Sequence, residues 1–169
     1  TEAHAALRES LDIARELNDS RSVGIALNAL AVNARDLGEL EQSQALFEES
    51  ISLWRRMGDR VLVARSLSNL ANLAKLSKQY ARARALYKEC RSIFHELGDG
   101  TGAAWAHNHE GDVAYEQGDN EDARGLYEES LKLFRELGDK WGVAGCLIDL
   151  GNLRRDEGDL RRAVSAVAQ

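Results

Sequence analysis

The sequence has no proline, one methionine, two cysteines and only 6% aromatic residues. Without proline, no residue blocks the continuation of a long helix. No apolar stretch approaches the roughly 18 residues that a membrane-spanning helix needs, and no signal-peptide pattern opens the chain. The sequence therefore predicts a helical, soluble, cytoplasmic protein with no membrane partner.

The sequence also lacks an excess of basic residues and recognisable catalytic motifs. The formal net charge is −6 and the isoelectric point is near 5.3, which argues against a direct nucleic-acid partner. No nucleophile elbow, phosphate-binding glycine loop, zinc motif or paired-carboxylate site is present. Cys90 and Cys146 lack the spacing of metal ligands, and their repeat register excludes a disulfide between them. We therefore expect buried apolar cysteines, no catalytic residue, no metal and no cofactor.

What the sequence does contain is a repeat with a period of 40 residues. Residues 81–100 match residues 121–140 at 10 of 20 positions, and Arg135-Glu136-Leu137-Gly138-Asp139 has counterparts ending at Asp99, Asp59 and Asp19. A fixed period in this range indicates stacked structural repeats. We divide residues 1–169, a single repeat domain, into a partial repeat (1–20), three full repeats (21–60, 61–100, 101–140) and a last partial repeat (141–169).

Each repeat is predicted to be a helical hairpin with a first helix, A, and a second helix, B. Residues 1–17 carry apolar residues at helical spacing and are expected to be a B helix whose A helix is missing. Glycines, or Asn18, end the helices, and Asp59, Asp99 and Asp139 follow where a side chain caps the next helix. Gly158 is expected to end the last A helix, and Lys78 is an exception to glycine. The A helices are predicted at 22–37, 62–77, 102–117 and 142–157, and the B helices at 41–57, 81–97, 121–137 and 161–169.

Small and large residues alternate in columns that repeat from one hairpin to the next. Small residues allow two helices to approach closely while large neighbours fill the remaining space. We interpret these columns as core. The small columns include Ala31, Ala71, Gly111 and Gly151, and the large ones include Phe47, Tyr87 and Tyr127, and Trp54, Phe94 and Phe134.

The pattern resembles the tetratricopeptide repeat. It appears as Leu147, Leu150-Gly151, Gly158 and Ala163, and in the preceding unit as Gly111, Gly118, Ala123 and Tyr127. The period of 40 exceeds the family's usual 34, and Gly-Asp replaces the usual proline after helix B. The resemblance implies an all-α, right-handed superhelical solenoid of antiparallel helix pairs that binds other proteins. Arrays of this length resemble those of bacterial regulatory ATPases and transcriptional regulators.

The A helices of such a solenoid line its concave surface, where residues not used in packing could hold a partner. Carboxamides can donate to and accept from the backbone of an extended ligand, and aromatic residues anchor interfaces. Trp105 and Tyr115 lie in slots that packing is not expected to need. The alternative is a solvated helix face. The predicted partner-binding residues are Asn28, Arg35, Arg65, Asn72, Lys75, Trp105, Asn108, Asp112, Tyr115, Asn152 and Arg155.

His107 and Glu110 occupy slots that hold leucine in the other repeats. Their spacing would allow them to pair inside the packing layer, at a cost in stability. We interpret the pair as a packing variation, with a pH-sensitive point as the weaker hypothesis.

The favoured function is a protein-binding or peptide-binding scaffold, or a sensor module, in a larger cytoplasmic signalling or regulatory protein. The acidic end of the bound segment is expected near Arg35, Arg65 and Lys75. One alternative is self-association into a homo-oligomer through the uncapped ends, at residues 1–17 and near Val164 and Val167. Another is a small-molecule sensor with a pocket near Trp105 and Tyr115.

Overall fold

The computed structural model describes the backbone of residues 2–167, with the side chains of residue 157 and residues 159–167 left undescribed. All the elements in the described range are α-helices, which confirms the predicted all-α fold of helix pairs. Each observed helix agrees with its predicted position to within two or three residues except at the C-terminal end. The helices are α1 (Glu2–Glu16), α2 (Ser20–Asp36), α3 (Leu40–Met57), α4 (Arg60–Leu76), α5 (Tyr80–Glu96), α6 (Gly100–Glu116), α7 (Asn120–Leu137) and α8 (Lys140–Val167).

The chain forms two compact units, residues 1–97 and residues 98–169, here called the N-terminal and C-terminal units. In the N-terminal unit, α1 packs on α2, and the hairpin of α2 and α3 packs on that of α4 and α5. In the C-terminal unit, α6 and α7 form a hairpin and α8 packs on α7. The A helices are therefore α2 and α4 in the first unit and α6 and α8 in the second.

The helix boundaries follow the predicted stop and start signals. Gly58 and Gly138 take a left-handed backbone with φ of 71° and 69°, and Lys78 takes the same conformation with φ of 56°. The Asp59 carboxylate accepts from the backbone N–H of Leu62, and the Asp99 carboxylate accepts from Gly102. These bonds satisfy N–H groups that have no partner inside the helix. The predicted aspartate caps are confirmed.

The prediction for Gly158 is wrong. Instead of ending there, α8 runs without interruption from Lys140 to Val167, so no separate helix begins at residue 161. A glycine inside a helix costs only about 1 kcal/mol, and the arginine, glutamate and leucine residues around Gly158 are strong helix formers. Residues 168–169 of the predicted helix lie outside the described residues.

The repeat columns form the core, as predicted, except at Gly151, which is exposed because no described side chain packs against that position. Phe47, Tyr87, Trp54 and Phe134 are among the largest fully buried side chains. The small residues opposite them are equally inaccessible, and a Cβ atom at Gly111 would lie 2.7 Å from the Tyr127 ring. Packing at this distance leaves no room for a larger residue.

Serine hydroxyls join the two helices of a hairpin at their closest approach. Ser50 Oγ donates to the carbonyl of Gly24 at 3.1 Å, and Ser130 Oγ donates to the carbonyl of Ala104 at 2.9 Å. Each bond spans 26 residues and falls at the same place in its repeat. Buried hydroxyls need such partners, which explains why small polar residues recur in an otherwise apolar layer.

Gly111 and Gly151 share a repeat column but lie in opposite environments, which gives a matched test of the packing. Gly111→Ala would force a methyl group into the buried Tyr127 ring and should destabilise the protein by about 1–3 kcal/mol. Gly151 has no atom within 4 Å of the added Cβ, so Gly151→Ala should be neutral or stabilising by up to about 1 kcal/mol. Denaturant unfolding followed by circular dichroism measures both changes. Equal changes in the free energy of unfolding for the two substitutions would contradict the packing of Gly111 against the Tyr127 ring.

The cap of α2 predicts a pH dependence. Hydrogen bonds from the Ser22 hydroxyl and backbone hold the pKa of Asp19 below its usual value of 3.8. Because the folded pKa is lowered, this stabilisation is present above the unfolded pKa of about 3.9 and is lost as the pH falls through the folded pKa. In Ser22→Ala, the pKa of Asp19, measured by NMR titration of its carboxyl carbon, should rise towards 3.8. Ser22→Thr keeps a hydroxyl and should keep the pKa low; an unchanged pKa in Ser22→Ala would refute the assigned cause.

Candidate functional site

The outward side chains of α2 and α4 form a surface, which we call the N-terminal A face. It carries the predicted residues Asn28 and Arg35 on α2, and Arg65, Asn72 and Lys75 on α4. Arg65 is exposed and the other four are half-buried. The structure therefore brings all five onto the A helices of one unit.

The cations of this face differ in their surroundings. Arg35 Nη2 lies 2.8 Å from the Asp36 carboxylate, so part of its charge is already compensated. Lys75 is half-buried near the C-terminal end of α4. No described residue forms an ion pair or hydrogen bond with the Arg65 guanidinium. Arg65 is thus the cation of this face that is most available to an anionic ligand.

Asn72 is held from inside the hairpin. The hydroxyl of Tyr87, whose side chain is fully buried on α5, donates to Asn72 Oδ1 at 2.7 Å. The oxygen of the carboxamide is therefore used within the fold. The Nδ2 amide remains a donor with no acceptor among the described residues.

Asn28 takes part in a contact that sequence reasoning missed. Asn69 Nδ2 on α4 donates to Asn28 Oδ1 on α2 at 3.3 Å, across neighbouring A helices. The two residues are 41 positions apart. Asn28 thus helps to bridge the two A helices and is less available to a ligand than the sequence suggested.

In the C-terminal unit, Trp105 is part of the packing. Its ring is half-buried, meets Phe134 edge-on with centroids 4.9 Å apart, and stacks on His109 at 5.7 Å. The expectation that packing does not need Trp105 is wrong, because the indole contacts the buried Phe134 and packs against the core of this unit. Tyr115 likewise packs against the core of this unit.

Asn108 is a second correction. Its side chain is only 3% exposed, so it does not lie on the accessible surface. Asn108 Nδ2 donates to Asp149 Oδ2 at 2.9 Å and contacts Cys146 Sγ at 3.7 Å. The Asn108–Asp149 pair repeats the 41-residue spacing of Asn28 and Asn69. Asn108 therefore bridges α6 and α8 instead of facing a ligand.

Carboxylates dominate the surface formed by α6 and α8, here called the C-terminal A face. Asp112 Oδ1 accepts from the buried Tyr127 hydroxyl at 3.0 Å, and Asp112 Oδ2 lies 3.5 Å from His109 Nδ1. Burial and the neighbouring Asp112 raise the pKa of Tyr127, which keeps the hydroxyl protonated as a donor.

The end of this face carries a second tyrosine–carboxylate pair. The Tyr115 hydroxyl donates to Asp156, which raises the pKa of Tyr115 and lowers that of Asp156. Arg155 is exposed, with Nε 3.2 Å from Asp156 Oδ1, and Asn152 is half-buried. Of the residues predicted here, all but Asn108 keep exposed or partly exposed side chains, and Trp105, Asp112, Tyr115 and Arg155 already have contacts within the fold.

His107 and Glu110 are placed in the packing layer, as expected. Glu110 is buried, and His107 Nδ1 lies 3.4 Å from Glu129 Oε2 on α7. His107 thus reaches a carboxylate at the edge of the layer. Its proposed effect on pH sensitivity stays a prediction.

The two cysteines lie in the core. Cys90 and Cys146 are free and buried, and burial raises the pKa of the Cys90 thiol to about 12, so it stays unreactive near neutral pH. Within the described range, no group of three or more histidine, cysteine, aspartate or glutamate residues could hold a metal ion. No helix in that range has both the length and the apolar character of a membrane span.

The comparisons with known proteins agree with this architecture. A family model described as tetratricopeptide repeat matches residues 22–96 and 102–169. No curated protein matches the sequence.

Solved structures show the same fold. BtubC from P. vanneervenii has a TM-score of 0.81 at 23% identity, with 99% of this chain and 70% of that chain covered. A Rap protein complexed with competence and sporulation factor has a TM-score of 0.78 at 17% identity, covering 85% and 40%. A signal transduction ATPase with a tetratricopeptide repeat sensor, from Pyrococcus horikoshii, has a TM-score of 0.74 at 18% identity, covering 98% and 28%. The chain spans less than half the length of the last two.

The family match covers most of the sequence, and the antiparallel helix pairs are those that the resemblance implied. The chain belongs to the tetratricopeptide repeat family.

Proposed function

We propose that this chain is a protein-interaction scaffold whose N-terminal A face holds an extended, acidic segment of a partner protein. The tetratricopeptide repeat fold supports an interaction scaffold in general. The finer assignment, to this face and this class of segment, is our inference from Arg65 and Asn72.

The observation that carries the proposal is the arrangement of Arg65 and Asn72 on one helix. They are seven residues apart, so they lie on the same side of α4 and roughly 10 Å apart along its axis. An extended chain covers this distance in about three residues. A ligand carboxylate on Arg65 would therefore place a backbone carbonyl, about three residues along, at the Nδ2 donor of Asn72.

Apolar side chains border these polar groups. Ile25 on α2 is 54% exposed and Leu76 on α4 is 59% exposed. Leu76 follows Asn72 by one helical turn, so the two share a side of the helix. Apolar contacts beside a few placed polar groups are the usual composition of a recognition surface.

The N-terminal and C-terminal A faces differ in charge, and this difference decides which of them suits an acidic ligand. The N-terminal A face carries Arg35, Arg65 and Lys75, with Asp36 as a neighbouring anion. The C-terminal A face has the carboxylates Asp112, Asp149 and Asp156 against Arg155, and would repel an acidic segment. Partner binding by Trp105, Asp112, Tyr115, Asn152 and Arg155 stays a prediction.

The regulatory setting is part of the proposal. The Rap protein was solved in complex with competence and sporulation factor, and the ATPase is a signal transduction protein with a tetratricopeptide repeat sensor. By analogy with them, we propose that this chain is a sensor or docking module of a cytoplasmic signalling or regulatory protein.

Self-association is the second candidate, favoured by exposed apolar residues on α8. Trp141 is 84% exposed, and Leu147 and Ile148 are 49% and 63% exposed. The expected contacts of Val164 and Val167 lie outside the described side chains. A small-molecule sensor is less favoured, because Trp105 and Tyr115 are used in packing and hydrogen bonding within their unit.

The test uses a short capped peptide of alternating glutamate and threonine, which is acidic and favours an extended backbone. Arg65→Ala should weaken binding of this peptide about tenfold or more, since it removes a charge-assisted contact. Arg56→Ala, at an exposed arginine on α3, is the matched control and should leave the affinity unchanged. Isothermal titration calorimetry measures both, and circular dichroism checks the helicity of each variant.

A peptide with lysine in place of glutamate distinguishes recognition of negative charge from nonspecific binding. We expect it to bind at least tenfold more weakly than the acidic peptide. Equal binding of the two peptides, or an unchanged affinity in Arg65→Ala, would reject the site. Sizing chromatography at several concentrations tests the second candidate: a monomer that still binds the peptide favours the scaffold.

A further inference from the structure

Two buried tyrosines reach from the core to the A faces at the same place in their repeats. Tyr87 on α5 donates to Asn72, and Tyr127 on α7 donates to Asp112, in each case across 15 residues. Both rings are almost completely buried, and only their hydroxyls meet the half-buried surface residue. Each unit therefore contains a hydrogen bond from a buried tyrosine to a polar residue of its A face.

The repeat itself provides an internal comparison. The position of Tyr87 and Tyr127 is occupied by Phe47 in the first full repeat, and Phe47 is fully buried like the tyrosines. The residue 15 positions before Phe47 is Val32, which has no polar group. A ring alone thus satisfies the packing, and the hydroxyl is found where the A-face residue is polar.

The hydroxyl has a definite effect on Asn72. A carboxamide has an acceptor oxygen and a donor NH2 group, and it can present either one to a ligand by rotating about its last bond. With Oδ1 bonded to the Tyr87 hydroxyl, the NH2 group is the end left for the ligand. Asn72 is then suited to the carbonyl of a partner backbone.

In the C-terminal unit, the residue that accepts from the matching tyrosine is a carboxylate. The Tyr127 hydroxyl donates to Asp112 Oδ1, and Asp112 Oδ2 lies near His109 Nδ1. A carboxylate can only accept, so this position presents an acceptor where the N-terminal unit presents a donor.

We propose that Tyr87 is a positioning residue that sets the hydrogen-bonding polarity of the N-terminal A face by holding Asn72 as a donor, whereas Asp112 at the matching position of the C-terminal A face is an acceptor whatever its partner. This inference rests on the proposed function of the N-terminal A face. It adds that the ligand group recognised at Asn72 is an acceptor, namely a backbone carbonyl, and that the choice is made by a residue which never touches the ligand.

The test removes the hydroxyl and keeps the ring. Tyr87→Phe should fold, because phenylalanine already occupies this position in the first full repeat, and circular dichroism should show unchanged helicity. With the acidic glutamate–threonine peptide as probe, Tyr87→Phe should bind about fivefold more weakly than the wild type. Tyr127→Phe, the matched change in the other unit, should bind this peptide as the wild type does.

A double-mutant cycle separates positioning from a purely structural role. If Tyr87 acts through Asn72, Tyr87→Phe should have no further effect on affinity in an Asn72→Ala background. The same fivefold loss in both backgrounds would show that Tyr87 supports the fold in another way, and would overturn the proposal.

A spectroscopic readout does not depend on the peptide. In the NMR spectrum of the free protein, Tyr87→Phe should shift the side-chain amide signals of Asn72 and lower their order parameter. Unchanged signals would overturn the positioning role even if the peptide binds. If the wild type does not bind the peptide at all, the proposed function fails, and the Asn72 signals still decide whether Tyr87 orients the amide.

Discussion

The structure depends on the close approach of two helices within each hairpin. Small residues on the A helix, such as Ala31, Ala71 and Gly111, leave space that aromatic rings from the B helix fill. At Gly111 even a methyl group would meet the Tyr127 ring at 2.7 Å. Because the repeat imposes this contact at the same positions each time, one packing rule generates every hairpin of the array.

That packing rule also shapes the candidate site. A ring that fills the hairpin from the B helix ends close to the outer side of the A helix, where its hydroxyl can reach a polar residue. Tyr87 and Tyr127 use this geometry to contact Asn72 and Asp112. Core packing and surface chemistry are therefore joined through single side chains, and a change in the core column would alter the face that we propose binds a partner.

Much of the fold could be predicted from the sequence, because the 40-residue period fixes the register of every column at once. The helix bounds, the aspartate caps and the buried aromatic residues all follow from it. Gly158 was mispredicted because a glycine ends a helix only when the tertiary structure requires a turn there, and local sequence does not encode that requirement. Lys78 shows the converse, since a turn that packing requires is made without glycine.

The site was predicted less well, since exposure depends on neighbours that the period does not identify. Asn108 and Trp105 lie in the expected columns, yet Asn108 is buried and bonded to Asp149, and Trp105 packs on Phe134. The only available signal was the 41-residue spacing between Asn28 and Asn69 and between Asn108 and Asp149, which marks contacts between successive A helices. The exposed and uncompensated position of Arg65 required the structure.

The central claim is that an acidic, extended segment lies along α4 of the N-terminal unit. Mapping by NMR is its most direct test, with the isotopically labelled protein titrated with the glutamate–threonine peptide. The account predicts that the signals that shift most belong to α2 and α4, including Arg65 Nε and the side-chain amide of Asn72. Shifts confined to the B helices or to α8, or no shifts at all, would contradict it.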